Sequence, residues 1–267
     1  MSNFTLTNTL ELVTVAIRVK NRDKMIAFFR DCLGFALKGE ENALAIMGTA
    51  DSSKEQLWLE ESPRAKDHFG QVKKLQSFTM QVATVSELSA IYQRLVAQEG
   101  TKVEALFSTD TIAITFDDPE ENGWILEANQ EKESIQDVTA LIAVTDELSQ
   151  KLSNDTYIKT VHMNSLDEPQ QQAFLTTVLG LQATQDSYQL PAHPWSIQTS
   201  PATDPVIALD NDEVIGLEFL KFAISAADLQ ALADHLTQQK QTFYMDKKQS
   251  ILTVYDAVGV EWWFLRQ

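Results

Sequence analysis

The stretch that decides the fold is residues 15–35, which read VAIRVKNRDKMIAFFRDCLGF. Alternating β-branched side chains predict a strand over residues 12–19. Asn21 and the two residues after it predict the start of a helix over residues 24–33. Gly34 predicts the end of that helix, because glycine readily adopts the left-handed conformation that closes one. The stretch is therefore typical of a strand that leads into a helix and then, from Phe35, into another strand.

The two faces of the predicted first strand differ in polarity, because side chains alternate along a strand. Four β-branched side chains share one face: Val13, Val15, Ile17 and Val19. The opposite face carries Thr14, Ala16 and Arg18. Burying one Val or Ile side chain contributes roughly 1.5–3 kcal/mol, so the four together outweigh the preference of Arg18 for solvent. We therefore expect the β-branched face to pack against the core and Thr14 to face inward, towards a cavity.

This opening is repeated along the chain. Thr14-Val15 recurs as Thr160-Val161, and Ala27-Phe28 recurs at the same offset as Ala173-Phe174. A constant offset over a strand and its following helix indicates duplication of a whole structural unit. Further strand–helix openings begin at residue 78 and near residue 217. The sequence therefore predicts four β-α-β-β-β repeats.

Four such repeats predict an α+β fold of two tandem barrels, each made of two repeats with its helices outside. The predicted domains are an N-terminal barrel over residues 1–130, a connector over 131–156 and a C-terminal barrel over 157–267. The ends of the second and fourth repeats also match, since Asp118 and Trp124 parallel Asp256 and Trp262. Within the connector, residues 138–144 fit either an extra strand or a short helix.

The composition excludes several classes of partner. The net charge is −17, from 38 acidic and 21 basic residues. A surface of this sign repels phosphate backbones and anionic lipids, so we expect neither nucleic acid nor a membrane as a partner. No apolar run is long enough to span a bilayer, and the first residues lack a signal-peptide pattern. With Cys32 as the single cysteine there is no intrachain disulfide, and the sequence predicts a cytoplasmic location.

Residues 15–35 closely resemble the opening strand and helix of the vicinal-oxygen-chelate superfamily, the glyoxalase, bleomycin-resistance and extradiol-dioxygenase group. Residues 116–124, FDDPEENGW, are similar to that group's Asp-Pro-x-Gly turn into the last strand. In length, duplication and acidic character the whole chain looks more narrowly like the streptococcal CppA-like family, which is named for a complement-degrading proteinase. The resemblance implies two glyoxalase-like barrels. It also implies two alternative activities: proteolysis of complement or another host protein, and metal-dependent glyoxalase- or dioxygenase-like chemistry.

The resemblance also implies positions for metal ligands, which metal-dependent members fill with His or Glu. These positions fall on Thr14 in the first repeat, Ser77 in the second and Thr160 in the third. The glutamate of the last strand falls on Ile125 by a gapless count, or on Glu127 if the preceding turn is two residues longer. One carboxylate beside hydroxyls is a poor site for a transition metal, which prefers imidazole or several anionic oxygens. We therefore expect no metal ion and no other cofactor.

His162 is the first candidate for chemistry. It follows Thr160 by two residues, so both side chains share one face of the strand. Imidazole titrates near neutrality, and Glu218 lies near the corresponding place in the fourth repeat, so the sequence predicts His162 and Glu218 as a catalytic pair. The alternatives are a His162 that is only hydrogen-bonded in a cavity wall and a Glu218 exposed at a sheet edge.

Polar residues of the predicted first barrel indicate a ligand site. Arg18, Gln81 and Glu127 lie opposite the apolar faces of their strands, which would direct them into the barrel cavity. There Arg18 would either hold a ligand carboxylate bidentately or form an internal ion pair with Glu127. With the three hydroxyl positions added, the candidate ligand-binding residues are Thr14, Arg18, Ser77, Gln81, Glu127 and Thr160.

The sequence gives little support for a peptidase. Cys32 is predicted at the C-terminal end of a helix and on its core side, where the helix dipole disfavours a thiolate. Neither the His-Glu-x-x-His nor the Gly-x-Ser-x-Gly pattern occurs. The predicted function is therefore a metal-independent binding protein whose partner is a small molecule or a protein. A metal-free enzyme that uses His162 and a peptidase are the alternatives.

Overall fold

The computed structural model describes residues 6, 10–67, 72–131, 134–144, 150–185, 187–190, 193–202 and 214–267. Within these ranges the chain forms sixteen β-strands and five α-helices, which confirms the predicted α+β class. Two of the helices continue into a π-helical turn, over Phe29–Leu33 and Phe174–Val178. None of the helices in the described ranges has the length and apolar character needed to cross a membrane.

The elements follow four β-α-β-β-β repeats, as the sequence predicts. The first repeat comprises β1 (Glu11–Val19), α1 (Arg22–Phe28), β2 (Ala36–Glu41), β3 (Leu44–Gly48) and β4 (Leu57–Glu61). The second comprises β5 (Leu75–Gln81), α2 (Val85–Ala97), β6 (Glu104–Phe107), β7 (Thr111–Asp117) and β8 (Gly123–Asn129). Helix α3 (Val138–Ala143) follows, so the helix is the correct alternative for this part of the connector. The third repeat comprises β9 (Tyr157–Ser165), α4 (Glu168–Ala173), β10 (Gln182–Ala183), β11 (Tyr188–Gln189) and β12 (Ser196–Pro201). The fourth comprises β13 (Gly216–Ile224), α5 (Ala226–Gln238), β14 (Phe243–Met245), β15 (Ile251–Tyr255) and β16 (Glu261–Arg266).

The described residues divide into two compact units. The first compact unit takes its residues from 1–18, 64–76 and 160–267, and the second from 19–63 and 77–159. Each unit therefore draws on separated segments of the chain, whereas the predicted domains 1–130, 131–156 and 157–267 follow chain order. Those domain boundaries stay a prediction.

In the first compact unit, β13 of the fourth repeat has a paired strand on each side. Strand β1 pairs with β13 in antiparallel orientation, and β16 pairs with it in parallel orientation on the other side. Strands β15 and β14 continue outward from β16 by antiparallel pairing. In the third repeat, β12 lies parallel to β9, and β11 and β10 extend from β12. In the third and fourth repeats the first strand thus lies parallel to the last.

The second compact unit repeats this pattern in the second repeat, where β5 lies parallel to β8 and β7 and β6 extend from β8 by antiparallel pairing. Strands β2, β3 and β4 of the first repeat form an antiparallel meander. Trp124 is buried among aromatic rings, with ring centroids 5.3 Å from Phe29 and 5.0 Å from Phe78. Such offset aromatic contacts contribute to stability beyond the area that they bury.

The opening stretch forms the structure that its sequence predicts. The side chain of Asn21 accepts a hydrogen bond from the backbone N–H of Lys24 and caps α1. Gly34 ends the π-helical turn with φ +87°. A Cβ at this position would lie only 2.9 Å from the backbone oxygen of Gln150, so both the conformation and the space require glycine. On β1, Val15, Ile17 and Val19 of the apolar face are buried, and Arg18 on the opposite face is buried as well.

Matching aspartate turns precede the last strands of the second and fourth repeats, as the sequence parallel predicts. Asp118 accepts a hydrogen bond from Nε1 of Trp124 at 3.2 Å, and Asp256 accepts one from Nε1 of Trp262 at 3.1 Å. Asp256 also accepts a hydrogen bond from Nε2 of Gln171 at 3.0 Å. Burial raises the pKa of both aspartates, against the effect of these hydrogen bonds. Each turn fixes a buried tryptophan at the start of a core strand.

Candidate functional site

In the first compact unit, β1 is paired with β13, which places side chains of the polar face of β1 beside side chains of β13. Ile17 lies opposite Leu217 in the antiparallel pair, which brings Arg18 close to Glu218. Nη2 of Arg18 donates to Oε1 of Glu218 at 2.6 Å, and both side chains are largely buried. Thr14, on the same face of β1, is completely buried. Arg18 is thus held by a carboxylate of the protein, in the place where the sequence predicts a ligand carboxylate.

The two glutamates of the predicted pairings each have a cationic partner in the structure. Glu218, predicted to pair with His162, forms an ion pair with Arg18. Glu127, predicted as the alternative partner of Arg18, forms an ion pair with Lys159 in the second compact unit. The physical reason is strand order: alternation along β1 fixes the face on which Arg18 lies, whereas its neighbour is set by the pairing of β1 with the distant strand β13.

The remaining candidates of the second compact unit lie along β5. Gln81 is largely buried, and its Nε2 donates to the backbone oxygen of Glu127 at 3.1 Å. Ser77 is largely buried on the same strand, opposite Gly123 in the parallel pairing with β8. The structure therefore places Gln81 beside the backbone of Glu127, and Lys159 is the charge partner of the Glu127 side chain.

The side chains at the predicted ligand positions do not fit a divalent metal ion. Thr14 and Ser77 offer hydroxyls, and the carboxylates of Glu218 and Glu127 are each occupied by a cationic side chain. Zinc, iron and manganese sites are built from imidazole, thiolate or several carboxylate oxygens. Across the described ranges, no three or more His, Cys, Asp or Glu side chains come together in a group that could hold a metal ion.

His162 lies in a different setting, on β9 of the first compact unit. Its Nε2 is 2.8 Å from Oγ of Ser200 on β12. The parallel register places Gln198 opposite His162, so Ser200, two residues further on, shares the same face. Thr160, two residues earlier on β9, has its Oγ1 3.0 Å from Oγ of Ser196, which lies directly opposite it. A ladder of hydroxyl contacts therefore joins β9 to β12 and ends at the imidazole.

A cavity of about 290 Å³ opens beside this imidazole. We call it the His162 pocket; its lining residues are His162, Glu168, Gln172, Thr184, Gln185, Ser187, Tyr188, Gln198, Thr199 and Ser200. All ten carry side chains that can form hydrogen bonds. The lining contains no aliphatic side chain, so the pocket suits a polar molecule and not an apolar one.

Glu168, the first residue of α4, provides the carboxylate of the His162 pocket. Its Oε1 accepts hydrogen bonds from Oγ1 of Thr199 and, at 3.3 Å, from Nε2 of Gln172. Its Oε2 is shielded from solvent and has no hydrogen-bonding partner within the described part of the chain. A buried carboxylate oxygen without a donor costs free energy, so this atom is prepared to accept a hydrogen bond from a bound molecule.

The protonation states in the pocket follow from burial. Burial lowers the pKa of His162, while the negative charge of Glu168 acts in the opposite direction. The imidazole is therefore uncharged at neutral pH and can accept a proton. Burial also raises the pKa of Tyr188, and the nearby Glu168 charge adds to that effect. Tyr188 therefore keeps its phenolic proton at neutral pH and can donate a hydrogen bond.

Comparison with protein-family models decides the family. The CppA N-terminal model matches residues 12–150, and the CppA C-terminal model matches residues 152–264. The chain belongs to the CppA family. Comparison with curated proteins finds no match.

Solved structures similar to this CppA-family chain share its fold at low sequence identity. The cppA protein from Streptococcus pneumoniae TIGR4 is 19% identical, with a TM-score of 0.67 over 97% of this chain and 99% of that one. A putative dioxygenase from Bacillus subtilis is 10% identical, with a TM-score of 0.69 over 99% and 86% of the two chains. Glyoxalase I from Zea mays is 10% identical, with a TM-score of 0.57 over 96% and 92%. These matches confirm the predicted fold of tandem glyoxalase-like domains.

Sequence reasoning identified His162 but missed the other polar groups of the pocket. Ser200 and Thr199 lie on β12, which follows proline-rich residues that give no strand pattern. Glu168 lies in an Asp-Glu-Pro sequence, which is a normal helix start and therefore gives no sign of a site. The only available signal was the spacing of His162 from Thr160, which placed the imidazole on the polar face of β9.

Proposed function

We propose that this CppA-family chain is a binding protein that works without a metal ion and holds a small polar molecule in the His162 pocket. The observation that carries the proposal is the pocket itself, in which polar groups converge on a cavity of about 290 Å³. Binding sites for small molecules place a few oriented polar groups in a concave surface. The volume of about 290 Å³ is at the lower end for such sites, so it suits a metabolite of about amino-acid size and not a folded partner.

The fixed geometry of its lining also supports the His162 pocket as a site. His162 is held by Ser200, and Glu168 is held by Thr199 and Gln172, so both groups are oriented before anything binds. Groups that are already in place lose little side-chain entropy when a ligand arrives, which favours affinity. The buried Oε2 of Glu168 adds a hydrogen-bond acceptor. The described residues give it no donor, so it is available to a molecule that enters the pocket.

Metal independence is supported by the donor set at the superfamily's ligand positions. Thr14 and Thr160 stand where the resemblance implies histidines, and the carboxylates of Glu218 and Glu127 form ion pairs with Arg18 and Lys159. A dication placed beside these cationic groups would be repelled by them. The cytoplasmic location and the absence of nucleic-acid and membrane partners stay predictions of the sequence.

The proposal is tested by following the imidazole signals of the protein by NMR. The chain contains four histidines, so a long-range ¹H–¹⁵N spectrum is simple, and a His162→Gln variant assigns the signal of His162. The probes are small amino acids, amines, carboxylic acids, sugars and nucleosides, each added separately. We expect at least one of these classes to shift the His162 signals in a saturable manner.

Matched tryptophan substitutions show whether the shift reports the pocket. Gln185 lines the pocket and is exposed, so Gln185→Trp fills the entrance without disturbing the core. Gln182 is an exposed glutamine on β10 that does not line the pocket, and Gln182→Trp is the control. Binding should be lost in the first variant and kept in the second. No saturable shift with any class, or an equal shift in both variants, would contradict the proposal.

A second candidate function, hydrolysis, is favoured by one observation. His162 is uncharged at neutral pH and contacts Oγ of Ser200 at 2.8 Å, which is the arrangement that lets an imidazole take the proton of a nucleophilic serine. This reaction would agree with the proteinase for which the CppA-like family is named. A fluorophosphonate probe, which reacts with activated serines, should then label the wild type but neither Ser200→Ala nor His162→Gln. An unlabelled wild-type protein rejects this candidate.

A further inference from the structure

Glu168 gives the His162 pocket a negative charge that its lining does not neutralise. Oε1 accepts from Thr199 and Gln172, both of which are uncharged donors. Oε2 is buried and lacks a donor among the described residues. A carboxylate removed from water needs an opposite charge or full hydrogen bonding to offset its desolvation. In this pocket one oxygen is satisfied and the other is not.

The electrostatic surroundings keep this charge in place. Glu168 is the one side chain with a full charge among the residues that line the pocket in the described ranges, since His162 and Tyr188 are both uncharged at neutral pH. The net charge of −17 on the whole chain adds a long-range attraction for cations. An anionic molecule would therefore be repelled from the pocket, and a neutral one would leave the charge of Glu168 uncompensated.

From this geometry we propose that the His162 pocket selects a small organic cation, whose guanidinium or primary ammonium group donates a hydrogen bond to Oε2 of Glu168. This inference rests on the proposed function and names the chemical class of its ligand. A nitrogen cation supplies both the missing donor and the missing charge. Charge-assisted hydrogen bonds of this kind are about twice as strong as neutral ones, so the cationic group is the anchor of the molecule.

The other groups of the pocket suit the remaining donors of such a cation. An ammonium group carries three N–H donors and a guanidinium group five, and neither accepts a hydrogen bond. Hydroxyl and amide oxygens of Tyr188, Gln198 and Ser200 line the same cavity and can accept. Because burial lowers its pKa, His162 is neutral and does not compete with a bound cation for the charge of Glu168. Because these groups can also accept, the lining around the single carboxylate offers several acceptors to a multidentate donor.

The inference is tested by calorimetric titration of the full chain with L-arginine, L-lysine and L-citrulline. Citrulline has the shape of arginine, but an uncharged ureido group replaces its guanidinium. We expect arginine or lysine to bind and citrulline to bind at least about tenfold more weakly. Glu168→Gln keeps an oxygen for Thr199 and removes the charge, so it should weaken cation binding by about 10- to 100-fold. Glu99→Gln removes the same charge from a different cavity and should leave binding unchanged.

A gain-of-charge variant keeps the test valid if Glu168→Gln folds poorly. Gln198 lines the pocket opposite His162 on β12, so Gln198→Lys brings an ammonium group into the cavity. This internal cation should satisfy Glu168 and abolish the binding of added L-arginine and L-lysine. Unchanged binding in Gln198→Lys would overturn the inference.

The outcomes separate this inference from the proposed function. If a neutral molecule shifts the His162 signals and Gln185→Trp blocks it, while arginine and lysine bind no tighter than citrulline, the pocket is a site but the cationic class is wrong. If cations bind and Glu99→Gln weakens them as much as Glu168→Gln does, only the overall charge attracts them and the inference also fails. If no probe shifts the His162 signals in the wild type, the proposed function itself fails.

Discussion

The ion pair between Arg18 and Glu218 yields the sharpest prediction about the fold. Their closest atoms are 2.6 Å apart, and the two side chains are 8% and 16% exposed. Breaking a buried ion pair by removing one of its partners typically costs about 3–5 kcal/mol. We therefore expect Arg18→Met and Glu218→Gln each to lower the free energy of unfolding by about 3 kcal/mol. The double variant should lose little more than either single variant, which gives a coupling energy of about 2–3 kcal/mol.

The pair between Lys159 and Glu127 is the matched comparison. Lys159 is 40% exposed and Glu127 is 15% exposed, so water screens this pair on one side. Exposed ion pairs contribute about 0.2–1 kcal/mol in such cycles. The same cycle with Lys159→Met and Glu127→Gln should therefore give a coupling energy of at most about 1 kcal/mol. Burial, and not the formal charges, decides the difference between the two pairs.

Equilibrium unfolding in urea, followed by circular dichroism and by tryptophan fluorescence, measures both cycles. Coincidence of the two probes is needed, because a chain with two compact units can unfold in two steps. A coupling energy below about 1 kcal/mol for Arg18 and Glu218 would refute the reasoning, because it would mean that breaking this buried pair costs no more than breaking an exposed one. A larger coupling for the Lys159 pair would refute it as well.

Three further outcomes follow from individual groups. Asp256→Ala leaves the indole N–H of Trp262 and the side-chain amide of Gln171 without their acceptor. Thermal unfolding should therefore show that the free energy of unfolding falls by about 3–5 kcal/mol. A fall below about 1 kcal/mol would be inconsistent with the buried turn. Asp246 has its pKa lowered from 3.8 to about 2, chiefly by the backbone N–H of Ile251, so its contribution to stability is complete above the unfolded value and is lost as the pH falls towards about 2. Asp246→Asn should therefore flatten the acid limb of a stability–pH curve, and equally steep limbs would count against the assignment. Burial raises the pKa of the Cys32 thiol, so iodoacetamide should label it only when the protein is unfolded.

Local features of the fold could be predicted because they depend on neighbours in the sequence. Asn21 and Gly34 mark the two ends of the first helical segment, and each does so through its own backbone or side chain. The repeated Asp–Trp turns were visible for the same reason, since Asp256 and Trp262 are six residues apart and meet directly. Such signals survive because tertiary contacts are not needed to produce them.

Contacts between distant repeats could not be predicted in the same way. Alternation placed Arg18 on the correct face of β1, but it carries no information on whether β8 or β13 provides the facing carboxylate. The His162 pocket was missed for a related reason. Its walls include β11, which is only two residues long, and β12, whose pairing with β9 is parallel and therefore non-local. Short strands and non-local pairing leave little periodicity to read.

The central claim, that the His162 pocket binds a small organic cation, is tested most directly by a crystal structure of the chain grown with saturating L-arginine. The account predicts density for the molecule inside the pocket, with a guanidinium nitrogen within hydrogen-bonding distance of Oε2 of Glu168 and the rest of the molecule near His162. Density for L-arginine elsewhere on the chain, or a pocket that contains only solvent at saturating concentration, would contradict the account.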